Sequence, residues 1–140
     1  MNNEEIKEFF KKDRFAGFIG AEIDSLSVDS VVCSMKIGDK HLNAGDKVQG
    51  GAVFTLADFT FAVSSNYSDL AADINNITVA QSNNIVFFKP AAGTTLFAKS
   101  ECIQKGRKIS VYRVTVTDDL GTKVAEMTGN GYTVSLDKSN

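Results

Sequence analysis

Between Gly51 and Asn66 the chain carries a single charge, Asp58, in a run that is otherwise almost entirely apolar or small. On helical spacing, Val53, Leu56 and Val63 share one face, Phe54 and Phe61 a second, and Phe59 and Ala62 a third. The pattern predicts a helix over about 51–66 that is apolar on nearly every side, and such a helix must be buried all round. One sheet of moderate size cannot enclose every face. A second copy of the chain is therefore expected to close the remainder, making the protein a homo-oligomer.

The flanking sequence supplies that sheet. Val31, Cys33, Met35 and Ile37 alternate with Val32, Ser34 and Lys36, which predicts a half-buried strand paired with 21–28 through a turn at Asp29-Ser30. Strands are predicted over 77–88, 94–104, 109–117 and 123–135, separated by turns at Pro90-Ala91-Ala92-Gly93, Lys105-Gly106 and Asp118-Asp119-Leu120-Gly121. Ile6, Phe9 and Phe10 mark a short amphipathic helix at the start, and Gly17 and Gly20 are expected to bracket a turn. Residues 38–50 read as a loop. The expected class is α+β: a long helix wrapped by about six antiparallel strands, in one domain over 1–140.

Composition removes several function classes. A net charge of −2 gives no general electrostatic case for nucleic acid. No apolar run reaches the roughly 18 residues of a membrane span. The start, MNNEEIKEFF, lacks the basic and apolar segments of a signal peptide. Cys33 and Cys102 fit no close metal spacing and sit in strand-like runs, so both are expected to be buried free thiols in a reduced, cytoplasmic protein. No metal site is expected. With one histidine, His41, mechanisms that need two are excluded.

Asp58 is the residue that most needs a reason. Burying a carboxylate costs several kcal/mol unless it is paired, hydrogen-bonded or protonated. Alanine would serve the helix better. Gly50-Gly51 stands directly before the helix, where unshielded N–H groups and the positive end of the dipole can polarise a carbonyl. At about 1.5 Å per residue, an acid eight positions on lies roughly 12 Å from that amide. The acid of one subunit would have to meet the glycine amides of another. In the preceding loop, Asn43 either holds water or carbonyl oxygen or caps its own backbone, and His41 either orders the loop or acts as a base. Lys105, Gly106, Arg107 and Lys108 form a basic turn suited to solvent or to a phosphate.

HLNAGDKVQGGAVFTLADFTFAVSSN, followed by NNIVFFKPAAG and ending around VTDDLGTKVAEMTG, resembles the hotdog-fold acyl-CoA thioesterases, most closely their phenylacetate-degradation branch. The resemblance implies a long helix wrapped by a curved antiparallel sheet and assembly as a dimer or dimer of dimers, with active sites at the dimer interface. It implies that Asp58 is the catalytic carboxylate, as general base or nucleophile, that the Gly50 amide polarises the thioester carbonyl, and that Asn43 helps place carbonyl or water. Substrate contacts are expected at His41, Gln49 and Gly51, with coenzyme A reaching Val79, Ala80, Gln81 and the turn Lys105 to Lys108. No cofactor is implied beyond the coenzyme A carried by the substrate. Two positions depart from the family. Gln49 replaces the usual histidine before the glycine pair and cannot titrate near neutral pH, and Ala80 stands where some relatives carry serine.

The expected activity is hydrolysis of an aryl or medium-chain acyl-CoA. Two rival readings share the fold. A hydroxyacyl dehydratase or enoyl hydratase would need His41 as its base. A non-catalytic acyl-CoA-binding module would explain Gln49 and Ala80 without turnover.

Overall fold

The computed structural model describes residues 1–137; residues 138–140 of the expected domain lie outside the described residues. In chain order the elements are α1 (Asn3–Phe10), α2 (Arg14–Ile19), β1 (Glu22–Leu26), β2 (Val31–Lys36), a 3-10 turn (Asp39–His41), α3 (Gly50–Ala71), β3 (Asn76–Phe87), β4 (Thr95–Lys105), β5 (Ile109–Asp118) and β6 (Lys123–Ser135). The strands form one antiparallel sheet in the order β1-β2-β4-β5-β6-β3, and α3 touches every one of them. This is the expected α+β arrangement.

Period-two alternation builds the inner face of the sheet. Val31, Cys33 and Met35 of β2, Leu96 and Ala98 of β4, Val114 and Val116 of β5, and Ala125 and Met127 of β6 are buried against Val53, Leu56, Phe61 and Val63 of α3. Each buried Val, Leu, Phe or Met among them contributes about 1.5–3 kcal/mol of transfer free energy. The approach is closest at β6. A Cβ at Gly129 would stand 2.8 Å from the Phe61 ring, and one at Gly131 would stand 3.1 Å from the same ring and 2.6 Å from Thr78. The two glycines let the helix lie directly on the strand.

The structure corrects three expectations. Residues 14–19 form α2 rather than a turn, because the Asp13 side chain caps the Ala16 N–H and Gly20 closes the helix in the left-handed conformation. Helix α3 runs to Ala71 instead of stopping near 66. Its polar last turns are anchored by Asn66, which bonds Thr78 through both ends of its amide. One sheet leaves part of α3 uncovered within the protomer: Phe54, Asp58, Ala62 and Asn66, four residues apart, form a half-buried stripe. Finally, Cys33 is buried and Cys102 is exposed, because the end of β4 from Glu101 to Lys105 is exposed along its whole length. Burial pushes the Cys33 thiol up to about 12, which leaves it inert.

Two aspartates fasten the sheet's far end. The carboxylate of Asp118 accepts the N–H groups of Ala92 at 2.7 Å, Gly93 at 3.1 Å, Leu120 at 3.0 Å and Thr122 at 2.8 Å, and so ties the Pro90 turn to the β5–β6 loop. Asp119 does the same for Thr94 and Thr95. Burial by itself would raise the Asp118 carboxyl, but donors on Ala92, Thr122 and Leu120 outweigh it and hold the group at about 2. A depressed folded value means that this stabilisation is complete above about pH 4 and is lost as pH falls through about 2. Asp118→Ala is expected to cost about 2–4 kcal/mol at neutral pH in urea titrations, with the gap to wild type narrowing between pH 4 and pH 2. A constant gap across that range would show that the charge on Asp118 does not matter.

Candidate active site

The start of α3 is organised by Gln49. Its Oε1 accepts the Gly51 N–H at 3.1 Å, and its carbonyl accepts from Ala52 at 2.9 Å and from Val53 at 3.3 Å. An added Cβ at Gly51 would lie 2.5 Å from that Oε1, so glycine there is what makes room for the side-chain cap. The Gly50 N–H makes no hydrogen bond among the described residues. It remains a free donor at the positive end of a long helix.

The loop before the helix divides the roles that sequence left open. His41 is buried; its Nδ1 accepts the Gly38 N–H at 2.9 Å and its Nε2 lies 2.7 Å from the Ile19 carbonyl, to which it donates. Both ring nitrogens are therefore spent on backbone, binding the loop to α2. That leaves no free nitrogen for substrate contact or for a dehydratase base. Asn43 caps its own loop: its Oδ1 accepts from Gly45 at 2.8 Å and from Lys47 at 3.2 Å. With both oxygens occupied, Asn43 and Gln49 keep their NH2 groups as donors.

His41, Asn43, Gln49 and Gly51 line one groove of about 630 Å³, together with Phe15, Phe18 and Phe54. The two α2 rings were absent from the residues singled out by sequence. They are 65% and 67% exposed, with centroids 6.4 Å apart, which is unusual for side chains of this size unless they face a ligand or a partner.

Asp58 lies elsewhere. Gly50 and Asp58 belong to the same helix, α3, roughly 12 Å apart along its axis, so one protomer does not bring them together. The half-buried Asp58 carboxylate accepts one bond, from Asn83 Nδ2 on β3 at 3.1 Å. Desolvation raises its affinity for a proton, the Asn83 amide opposes this, and the charge of Asp13 adds to the rise. A carboxylate with raised basicity suits proton abstraction better than an ordinary one.

The remaining expected residues lie on the outer strands. Val79, Ala80 and Gln81 are exposed on β3, an edge strand paired only with β6. The register aligns Ile109, Tyr132 and Val79 across β5, β6 and β3, and Thr133 donates to the Lys108 carbonyl at 2.7 Å. The basic turn from Lys105 to Lys108 thus borders the same end of the sheet as Val79. Among the described residues, no three His, Cys, Asp or Glu side chains cluster as a metal site, and no helix is long and apolar enough to cross a membrane.

The sequence profile of the thioesterase superfamily matches residues 47–125, which include the Gly50 amide, Asp58 and Asn83. The chain is 29% identical over 126 residues to the acyl-coenzyme A thioesterase PaaI of Escherichia coli, covering 89% of this chain and 86% of that protein. The solved structure of Escherichia coli PaaI, from the phenylacetic acid degradation operon, superposes with a TM-score of 0.82 at 25% identity, covering 91% of this chain and 89% of that one. A protein of Streptococcus mutans, smu.793, solved bound to acetyl CoA, superposes with a TM-score of 0.75 at 26% identity over 86% of this chain and 94% of its own. The architecture shared with these structures is the hotdog fold.

The Gln49–Gly51 cap makes a prediction of its own. Gln49→Ala and Gly51→Ala should each cost about 1 kcal/mol through loss of one helix cap, and the double variant should cost little more than either single. Thermal melts of the four proteins test this. Additive losses would mean that the two residues act independently.

Proposed function

The chain belongs to the thioesterase superfamily, and from that premise we propose that it is an acyl-CoA thioesterase with its active site shared between two protomers. One observation carries the reading: a lone, half-buried carboxylate of raised basicity stands on the same helix as an unbonded N-terminal amide, too far from it to act on one carbonyl. An antiparallel pairing of two copies would set Asp58 of each beside Gly50 of the other. Two features favour it. The half-buried stripe on α3 lies beside β3, and the free edge of β3 from Asn76 to Phe87 can continue the sheet into a second copy. A dimer, or a dimer of such dimers, follows.

In this scheme the Gly50 N–H and the helix dipole hold the thioester oxygen, with the NH2 groups of Asn43 and Gln49 as auxiliary donors. Asp58 of the facing protomer takes a proton from water as the water oxygen attacks the carbonyl carbon. The tetrahedral oxyanion collapses, the C–S bond breaks, and the thiolate of coenzyme A recovers the proton. Products are a carboxylate and free coenzyme A. These steps use neither metal nor cofactor. Phe15, Phe18 and Phe54 favour an aryl or medium-chain acyl group, and the exposed run Val79 to Gln81 with the basic turn Lys105 to Lys108 favours coenzyme A along that end of the sheet.

Thiol release from a panel of acyl-CoAs tests the chemistry. Asp58→Asn should lower kcat by about 10²–10⁴-fold. Gly50→Pro removes the amide hydrogen; proline is accommodated at the first helical position and Gln49 already has extended backbone, with ψ 138, while the added Cβ, 3.1 Å from the Phe87 ring, requires that ring to give by a few tenths of an ångström. It should be similarly impaired. Mixing the two inactive variants and allowing subunits to exchange should restore about a quarter of wild-type activity, since half the dimers are mixed and each holds one intact site. Wild-type turnover by Asp58→Asn would remove the base, and a mixture without activity would remove the shared site.

A further inference from the structure

We infer that Asn83 is a positioning residue, kept on the inner face of β3 to hold the Asp58 carboxylate in its working orientation. The inference rests on the reading of Asp58 as the base. It begins with a change of register. Gln81 is the extra residue of a bulge between Ala80 and Ser82, so the inward positions of β3 pass from Thr78 and Ala80 to Asn83 and Ile85. Without that bulge Ser82 and Asn84 would face the helix, and Asn83 would point outward.

The bulge places a carboxamide where an apolar side chain would cost less. Asn83 lies opposite Gly129, and its Oδ1 is buried with no hydrogen-bond partner among the described residues, a condition shared there only by Ser110 Oγ. The space beside that oxygen is filled: a Cβ at Gly129 would lie 2.9 Å from it and 2.8 Å from Phe61. Half of the amide's bonding capacity is thus forfeited, which lowers stability. The other half is spent on Asp58, through Nδ2 at 3.1 Å. Turning the amide over would aim Oδ1 at the carboxylate, so Asp58 fixes the orientation.

The bond does two things. It pins Asp58 Oδ1 and leaves Oδ2 with no partner among the described residues, as the atom that can take a proton from water. It also opposes the two influences that push the carboxyl toward its neutral form, which are burial and the facing charge of Asp13. A leucine at this position would leave those two unopposed.

Asn83→Leu tests the role. The acidic limb of the kcat–pH profile is expected to move to higher pH. At the plateau kcat should fall roughly tenfold, the scale of lost orientation, while KM for acyl-CoA stays within about twofold. Carbon-13 NMR titration of labelled Asp58 should show the same upward move without relying on turnover. Asn83→Ser, which retains a donor, should lie between the two. Should Asn83→Leu fail to fold, Asn83→Ala is titrated in its place, with the same expected shift. Unchanged titration of Asp58 in either variant would overturn the inference. Inactive Asp58→Asn alongside a wild-type Asn83→Leu would remove the positioning role alone, whereas active Asp58→Asn would remove the base itself.

Discussion

The site depends on how closely α3 lies against the sheet. Phe61 rests on two positions of β6 that have no side chain, Gly129 and Gly131, and any larger residue there would lift the helix. The same seating fixes a row of contacts down β3: Gly50 beside Phe87, Asp58 bonded to Asn83, Asn66 bonded to Thr78. Helix and strand run antiparallel, so the amide end of α3 meets the last residues of β3 and the acid meets its middle. Distances within the site are therefore set by packing several residues away from the chemistry.

Much of this could be read from the chain because it follows from periodicity. The buried helix, the six strands and the anomaly at Asp58 come from apolar spacing alone, and β6 was placed at its observed limits. What escaped was decided by single local interactions. The segment Arg14 to Ile19 contains a glycine and only six residues, and it is helical because Asp13 and Gly20 close its two ends. The end of α3 is polar and lies beyond the apolar run that predicts the helix; a side chain from Asn66 to a strand twelve residues on holds it in place. Cys102 lies in a convincing strand pattern, but that stretch of β4 has nothing packed over it.

Asn83 was unreadable for a different reason. A strand pattern assumes that parity is kept along its length, and one bulged residue reverses it. The run Gln81-Ser82-Asn83-Asn84 offers four polar side chains, and only pairing with β6 decides which of them faces inward. Similarly, nothing in the loop sequence shows that both nitrogens of His41 are consumed by backbone, or that the amide oxygens of Asn43 and Gln49 are occupied while their nitrogens are not. Polar residue types were legible, but the atoms left free for a ligand were not.

Asp58 and Asp118 show why that distinction matters. Both carboxylates are withdrawn from water by the same fold. Asp118 receives four backbone donors, which more than repay its desolvation and hold it at about 2, so it can only serve as structure. Asp58 receives one side-chain donor, which does not, and its carboxyl rises above the ordinary value. Free energy withheld from solvation of Asp58 appears as basicity, which the proposed chemistry would draw on through the second oxygen, left without a partner among the described residues. Supplying more donors at Asp58 would stabilise the protomer and lower the basicity of this carboxylate. On the proposed reading of Asp58 as the base, the sparse coordination of this acid is part of the site, and the apolar helix that looked unable to tolerate a charge is what makes the charge useful.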